Sequence, residues 1–272
     1  MFETDIAKAW QELRSKEPLI HCITNPISIN DCANVLLAAG AKPIMAEHPE
    51  EAAEITAVSS SLAVNLGNIT DIRMKSMKIA GLAAKTAGIN VIIDIVGAGC
   101  SRLRLDYARE YIDTVKPAAV KGNLSELMAL SGLSSSACGI DVGRRDAGMN
   151  CAEIVPWLKE LAVRYETVIL ATGKTDYVTN GRETYMVLNG CPRMAQVTGT
   201  GCMLNVLTAA MMSVLSEPLE AAVSAASVFG LCGELADRGQ GIGSYHTELL
   251  NAVSELTYER IINGIRIERV VK

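Results

Sequence analysis

Short apolar segments alternate with longer segments whose apolar residues recur at helical spacing along most of this chain. Residues 19–24 form the first short segment, and residues 30–39 have the periodicity of a helix that ends at Gly40. Residues 91–96 are mostly β-branched and apolar, which is typical of a strand buried on both faces of a sheet. This alternation predicts an α/β fold with a mostly parallel central sheet and helices on both faces.

The same pattern predicts the remaining elements. Further strands are expected at residues 42–45, 61–66, 118–121 and 167–171, with a hairpin over 175–187 that turns at Asn180-Gly181. Helices are expected at residues 1–16, from Pro49-Glu50-Glu51 as the opening turn, at 70–88, 104–115, from Asn123, at 150–165, over 202–236 as two or three helices, and at 247–256. The tail, residues 265–271, is expected as a strand or an extension. Residues 131–150 are rich in small residues and read equally well as a flap or a long connection. No repeat or linker divides the chain, so we expect one domain over residues 1–272.

Composition narrows the class of protein. The 272 residues are 49% apolar and 20% charged with a formal net charge of −5, which indicates a globular protein with a sizeable core. Scattered basic residues and only two Trp and two Phe argue against nucleic acid as a partner. No apolar run approaches the length of a membrane span and no signal peptide is recognisable, so no membrane partner is expected. Eight Cys without a Cys-x-x-Cys pair and three His without metal-ligand spacing favour a reduced cytoplasmic location.

The segment Val197-Thr198-Gly199-Thr200-Gly201-Cys202 carries the most chemical information. It leads directly into an apolar helical run, so the backbone N–H groups at the junction lack intrahelical partners and lie at the positive end of the helix dipole. Such a junction suits a phosphate or a phosphoryl group in transfer. A tight turn with a small capping residue is the alternative, and for an isolated Gly-x-Gly it is the better one.

Polar residues at the carboxyl ends of the predicted strands change that balance, because ligands bind at this edge of an open parallel sheet. Asp94, Asn123 and Glu126 carry oxygen ligands of the kind that Mg²⁺ shares with substrate phosphates. Capping of a helix is the better interpretation for Asn123 and Glu126 taken alone. Asp94 interrupts an apolar strand, so its carboxylate requires a partner. Thr172, His21, Asn25 and Met45 also lie at or near the ends of predicted strands.

Several segments together resemble the hydroxyethylthiazole kinases, in the order of that family and across residues 21–258. The matching segments are His21-Cys22-Ile23-Thr24-Asn25, the run from Asn34 to Met45, Val64-Asn65-Leu66-Gly67, Asp94-x-Val96-Gly97-Ala98-Gly99, Lys121-Gly122-Asn123-x-x-Glu126, Thr172-Gly173 and the glycine loop. Each segment alone is unspecific, whereas the set is specific. Cys202 is a particular mark, because the wider ribokinase-like superfamily usually has Asp there.

The resemblance implies a ribokinase-like fold and phosphoryl transfer from ATP to the hydroxyl of 4-methyl-5-(2-hydroxyethyl)thiazole, a salvage step toward thiamine. It implies that Met45 and Gly199 bind the substrate, that Lys121 and Thr172 contact ATP, and that Asp94 and Glu126 lie near Mg²⁺. It also implies a homotrimer with sites between subunits, in which His21, Asn25 and Met45 face the glycine loop of a neighbour.

For the mechanism, we expect the amides of residues 199–202 to hold phosphoryl oxygens as charge develops on them. A Cys at a helix N-terminus can have a lowered pKa, so Cys202 is a candidate catalytic base, with shaping of the pocket as the alternative. Two positions depart from the family pattern. Ile95 replaces a common Pro, and Lys121 replaces a common Arg, which keeps the charge but loses bidentate phosphate geometry.

Two alternatives differ in testable ways. A hydroxymethylpyrimidine kinase or a nicotinamide-hydrate dehydratase of the same superfamily would favour Asp in place of Cys202. A catalytically silent binding protein would be expected to lose the acidic pair or the glycine loop, and both are present in this sequence.

Overall fold

The computed structural model describes residues 3–132 and 151–271. The strands of this part of the chain are β1 (Leu19–Ile23), β2 (Lys42–Ile44), β3 (Ser61–Asn65), β4 (Asn90–Asp94), β5 (Ala119–Asn123), β6 (Val168–Thr172), β7 (Asp176–Thr179), β8 (Thr184–Val187) and β9 (Ile267–Arg269). Its α-helices are α1 (Glu3–Lys16), α2 (Ile29–Ala39), α3 (Ala52–Ala57), α4 (Asp71–Ala87), α5 (Arg102–Val115), α6 (Leu124–Ser131), α7 (Cys151–Tyr165), α8 (Thr200–Met212), α9 (Pro218–Ala236), α10 (Ile242–Ser254) and α11 (Tyr258–Gly264).

These nine strands form one sheet in the order β2-β1-β3-β4-β5-β6-β7-β8-β9. The first six are parallel to their neighbours, and β7, β8 and β9 pair antiparallel at one side. The predicted α/β architecture with a mostly parallel sheet is therefore confirmed, and so is the hairpin, which joins β7 and β8.

Each face of the sheet is covered by helices, because alternate residues of every central strand point to opposite sides. Val64, Ile93 and Val120 pack into a core with the helices on the α4 and α5 side. Their chain neighbours Ala63 and Ile92 pack into a second core that includes α8 and α9. Burial on both faces explains why the central strands read as continuous apolar runs.

Local capping signals place several helix ends where the sequence predicted them. The Thr70 hydroxyl accepts a hydrogen bond from the backbone N–H of Arg73 at the start of α4. Gly88 ends that helix in the left-handed conformation, and Gly40 ends α2 in the same way. The α4 and α2 boundaries were therefore predictable from residue type alone.

Other boundaries differ from the prediction. Pro49-Glu50-Glu51 forms a turn, and α3 begins only at Ala52. A 3-10 helix at Pro192–Gln196 and the short α11 were not predicted, because neither is long enough to show a clear helical period. The proposed flap at residues 131–150 lies almost entirely outside the described residues.

The expectation that no apolar run approaches the length of a membrane span is wrong for α9. This helix has 19 residues with a mean hydropathy of 1.4, which is long and apolar enough by length and composition. Within the fold, 83% of that segment is buried. The apolar character of α9 is accounted for by its place in the core between α8 and α10.

Candidate active site

Three polar side chains lie side by side on neighbouring strands at the carboxyl edge of the sheet. Asn65 on β3 is in register with Asp94 on β4, and Asp94 is in register with Lys121 on β5. All three are two residues beyond a core residue of the α8 face, so they project on that face. The sheet thus presents a row of amide, carboxylate and ammonium groups toward the start of α8.

Asp94 and Lys121 form a buried ion pair. The Nζ atom of Lys121 lies 2.8 Å from Oδ2 of Asp94, and both side chains are at most 5% exposed. Oδ1 of Asp94 accepts a hydrogen bond of 3.1 Å from the backbone N–H of Val96. The partner that the sequence demanded for Asp94 is therefore present. Burial alone would lower the pKa of Lys121, but the adjacent Asp94 carboxylate outweighs it, so this pKa is raised and the ammonium stays charged.

Glu126 has a structural task that the sequence also anticipated. Asn123 and Glu126 form a reciprocal capping box at the start of α6, in which Glu126 Oε2 accepts from the backbone N–H of Asn123 at 2.8 Å. Its other oxygen accepts from the backbone N–H of Gly97 at 2.8 Å, which ties α6 to the loop after Asp94. Burial, with a contribution from the charge of Asp94, raises the pKa of Glu126 to about 7. The carboxylate is thus both a cap and a neighbour of the acidic strand end.

The glycine loop has the geometry of an anion-binding junction. Gly199 is the N-cap of α8 with φ of +94°, and a Cβ at this position would lie 2.8 Å from the Cβ of Ser28. No described side chain caps this helix, so the N–H groups of its first turn remain available to an anion. The Thr200 hydroxyl anchors the loop by donating to the carbonyl of Met194 at 3.1 Å. A Cβ at Gly201 would lie 3.4 Å from the Lys121 ammonium, which brings the loop to the row of polar side chains.

Cys202 lies in the first turn of α8 and is buried against this row. Burial, followed by the charge of Asp94, raises the pKa of the Cys202 thiol. The expected lowering of this pKa at the helix N-terminus is therefore wrong, because desolvation and a nearby carboxylate outweigh the favourable dipole. The group is a thiol at neutral pH in this chain.

Asn65 is a functional candidate that the sequence reasoning missed. The side chain is fully buried, and Nδ2 donates to Oδ2 of Asp94 at 3.0 Å and to Sγ of Cys202 at 3.5 Å. The available signal was the same as for Asp94, since both are polar residues that end an otherwise apolar strand. An amide carries no charge that needs a counter-ion, so the sequence pattern alone did not single out Asn65.

His21 and Asn25 lie at the end of β1 and already have partners within this chain. The buried His21 ring donates from Nε2 to the carbonyl of Ala46, and Nδ1 lies 2.8 Å from the Thr56 hydroxyl. Burial lowers the pKa of His21, so the ring is neutral at pH 7. Oδ1 of Asn25 accepts from the backbone N–H of Ile27 and from the side-chain amide of Asn68, both at 3.1 Å.

Thr172 and Met45 lie on opposite sides of the central row. Thr172 ends β6 in register with Asn123, and its hydroxyl donates to the carbonyl of Gly122 at 3.5 Å. Met45 follows β2, the edge strand, which is separated from β4 by β1 and β3. One cluster therefore contains Asp94, Lys121, Glu126, Gly199 and Cys202, and Thr172 lies beside it. Met45 follows an edge strand that two other strands separate from β4.

The carboxylates of Asp94 and Glu126 are compatible with a magnesium ion that is only partly coordinated by the protein. Among the described residues no group of three or more His, Cys, Asp or Glu is arranged to hold a metal. Asp94 at the end of β4 and Glu126 in the first turn of α6 supply two carboxylates, and every oxygen already accepts at least one hydrogen bond. This donor set fits an Mg²⁺ whose other ligands are phosphate oxygens and water, rather than an ion held by protein alone.

Comparison with solved structures defines the class of protein. A pyridoxal kinase from Staphylococcus aureus shares 15% identity with this chain, covers 93% of it and 98% of itself, and gives a TM-score of 0.64. At this identity the likeness concerns the fold alone. The comparison shows a ribokinase-like fold, in which this chain carries an acid, a lysine and a glycine loop at the carboxyl edge of the sheet.

Closer relatives define the family. The model of the hydroxyethylthiazole kinase family matches residues 10–259. "Hydroxyethylthiazole kinase 2" of Clostridium botulinum is 50% identical over 259 residues, which cover 94% of this chain and 97% of the relative. The structure of a hydroxyethylthiazole kinase from Pyrococcus horikoshii is 32% identical, covers 98% of this chain and 99% of its own, and gives a TM-score of 0.88. This chain belongs to the hydroxyethylthiazole kinase family.

Proposed function

We propose that this kinase transfers the γ-phosphoryl group of ATP to the hydroxyl of 4-methyl-5-(2-hydroxyethyl)thiazole, in the cytoplasm, as a salvage step toward thiamine. The observation that carries the proposal is the glycine loop of α8 facing the buried Asp94–Lys121 pair, in a chain of this family. An anion-binding junction beside a fixed acid and a fixed ammonium is what transfer of a phosphoryl group between two oxygens requires.

The nucleotide side of the site consists of Lys121 and Thr172. The Lys121 ammonium lies next to Gly201 and remains charged, so it neutralises phosphate oxygens that approach the loop. As a single point charge, it attracts these oxygens without the fixed two-bond geometry of an arginine. Thr172, at the next strand end, offers a hydroxyl to the nucleotide. Support comes from its register with Asn123, which places it beside the carboxyl end of β5.

Asp94 and Glu126 are the proposed residues near Mg²⁺. When bound, Mg²⁺ would supply positive charge that offsets the negative charge developing on the phosphates during transfer. The chain's own contribution is to fix both carboxylates before the ion arrives, through Val96 and Asn65 for Asp94 and through Gly97 and Asn123 for Glu126.

Gly199, Cys202, Asn25 and Met45 form the proposed acceptor side. A side chain at Gly199 would collide with Ser28, so glycine is required there. The bare backbone is the surface that the acceptor approaches. With its raised pKa, Cys202 orients the alcohol and excludes water in the ground state. In a loose transition state the proton leaves late, so a strong base is not required. The buried ring of His21 acts indirectly, by holding the carbonyl of Ala46 and thus the backbone beside Met45.

A homotrimer would complete the acceptor site. Met45 follows the edge strand β2 and is partly exposed. In the proposed assembly this edge, with Asn25 after β1, faces the glycine loop of a neighbouring subunit, whereas His21, expected there from the sequence, is fully buried in its own chain.

An assay of ADP release tests the proposed reaction. Purified protein with Mg²⁺ and ATP is expected to release ADP only when hydroxyethylthiazole is added, and not with hydroxymethylpyrimidine. Release with hydroxymethylpyrimidine instead would assign the protein to a different acceptor. Binding of ATP without release for either alcohol would favour the dehydratase or the silent binding protein.

The Cys202→Ala variant tests the assignment of the thiol. Binding of the thiazole and of ATP is expected to be largely preserved, while kcat falls because the alcohol is less well oriented. Calorimetric titration and the ADP assay measure the two quantities separately. An unchanged kcat would show that Cys202 has no part in the transfer.

A further inference from the structure

Asn65 has a side chain whose orientation is fixed by its hydrogen bonds. Its Oδ1 accepts from the backbone N–H of Gly67 at 2.7 Å, so the amide oxygen points into its own loop. Nδ2 then points the other way and donates its two hydrogens to Oδ2 of Asp94, 3.0 Å from Nδ2, and to Sγ of Cys202, 3.5 Å from Nδ2. A flipped amide would place an oxygen against a carboxylate and leave the Gly67 N–H without its acceptor.

The Asn65 amide connects the carboxyl end of β4 with the first turn of α8. Asp94 ends β4, whereas Cys202 lies in the first turn of α8, so Asn65 spans from the acidic strand end to the glycine-loop helix. Oδ2 of Asp94 receives both Asn65 and Lys121, and Oδ1 receives Val96. The carboxylate is therefore fixed in rotation as well as in place.

The same amide also orients the thiol. Because the sulfur accepts a hydrogen from Asn65, its own proton is directed elsewhere, and the side chain of Ser28 is a second hydrogen-bonding partner of Cys202. Ser28 packs directly against Gly199, which closes the path from the amide to the glycine loop. Asn65 is fully buried, so in the folded protein these bonds are shielded from solvent.

We propose that Asn65 is a positioning residue for phosphoryl transfer, which acts by holding the Asp94 carboxylate and the Cys202 thiol at a fixed separation. The proposal rests on the proposed function of this site but concerns the transfer step rather than the identity of the acceptor. Alignment of the reacting groups is the main contribution of a protein to this chemistry, so loss of the bridge affects kcat.

A double-mutant cycle of Asn65→Ala and Cys202→Ala tests it. Asn65→Ala is expected to lower kcat by about 10- to 100-fold, the usual effect of removing a residue that orients the groups of a site. The KM values for ATP and for the alcohol are expected to change by less than about threefold, because binding contacts remain. In the Cys202→Ala background, the same substitution is expected to lower kcat by a clearly smaller factor.

Asn205→Ala is the matched control. Asn205 is also a fully buried amide, and it joins α8 to the same strand by donating to the carbonyl of Val64 at 3.1 Å. Loss of that bond is expected to lower the melting temperature while kcat stays within about threefold of wild type. Should Asn65→Ala fail to fold, Asn65→Ser replaces it, since a hydroxyl retains one donor and a partial effect is expected.

The outcomes separate this proposal from the function on which it rests. Unchanged kcat in Asn65→Ala, a change confined to KM, or independent effects in the cycle would each overturn the positioning role. If wild type phosphorylates a different alcohol, the cycle is measured with that alcohol. If it phosphorylates none, the proposed function fails, and the cycle is read from phosphoryl transfer to water, as ADP release without an acceptor.

Discussion

At the scale of single residues, the sequence indicated which groups needed partners but not how the groups would divide their tasks. A carboxylate at the end of an apolar strand required a counter-ion, and Lys121 supplies it. Glu126 satisfied the capping pattern and still lies beside the acidic strand end. The raised pKa of Cys202 was not predictable, because it depends on burial and on a neighbour 108 positions earlier in the chain, Asp94.

The Asp94–Lys121 pair predicts a difference between stability and activity. Lys121→Met leaves a buried carboxylate without its counter-ion and is expected to lower the free energy of unfolding by about 3–5 kcal/mol. Lys121→Met combined with Asp94→Asn removes both charges and is expected to recover most of that loss, without recovery of kinase activity. Urea unfolding at pH 7 measures the stabilities. If the double variant is as unstable as Lys121→Met, the loss comes from packing and not from charge.

Glu126 predicts how stability depends on pH. Its pKa is raised to about 7 in the folded protein, above the unfolded value of 4.5. The stabilisation from its protonated form is therefore complete below pH 4.5 and is lost as the pH rises through 7. Relative to Glu126→Gln, wild type is expected to lose up to about 3 kcal/mol of unfolding free energy between pH 5 and pH 8. A constant difference between the two proteins at both pH values would show that this carboxyl does not titrate in that range.

At the scale of elements, the alternating pattern was sufficient for most of the sheet and for the long helices. Because β3, β4 and β6 are buried on both faces, their continuous apolar runs were recognisable in the sequence. Glycine or threonine caps marked the ends of α2 and α4. The pattern was insufficient for α11 and for the 3-10 helix before the glycine loop, since each has too few residues to show a period. The carboxyl-edge rule predicted that Asp94 and the glycine loop lie near one another, whereas strand order and register, which align Asn65 with Asp94, come only from the fold.

The junction before α8 predicts a specific cost for a single methyl group. Gly199→Ala combines a left-handed backbone with a contact of 2.8 Å to Ser28, so both the loop and the helix start must shift. Gly88→Ala is the matched control, because Gly88 is also left-handed, with φ of +68°, and a Cβ there meets nothing within 4 Å. Each variant is expected to lose about 1 kcal/mol or more from backbone strain, but only Gly199→Ala loses kcat, by at least about 100-fold. Equal kcat values in the two variants would contradict a role of this junction in transfer.

At the scale of the whole molecule, the proposed site residues lie in a central cluster and at an edge of the sheet. Gly199 and Cys202 lie with the Asp94–Lys121 pair, whereas Met45 follows the edge strand. Ile27 and Ile72, in segments that follow β1 and β3, expose 64% and 62% of their surface. Exposed apolar side chains beside a site of this kind support the proposed homotrimer, in which one subunit completes the site of another.

The assembly is therefore expected to depend on these side chains. Light scattering coupled to size-exclusion chromatography should give three times the mass of one chain for wild type. Ile27→Asp combined with Ile72→Asp should shift the protein toward smaller species and raise the KM for the alcohol, because a charge is placed in the contact. Val163→Asp on α7 is the control, since Val163 is equally exposed at 63% but distant from the site in the fold. A wild-type protein that is monomeric and fully active would refute the shared site.

The most direct test of the account follows the phosphoryl group itself. ATP labelled at the γ-phosphate is incubated with the protein, Mg²⁺ and hydroxyethylthiazole, and the product is analysed by mass spectrometry and phosphorus NMR. Wild type is expected to form a labelled phosphomonoester on the hydroxyethyl oxygen, and Gly199→Ala is expected to form much less of it. Label found only in inorganic phosphate, or on a different alcohol, would contradict transfer of the γ-phosphoryl group to hydroxyethylthiazole.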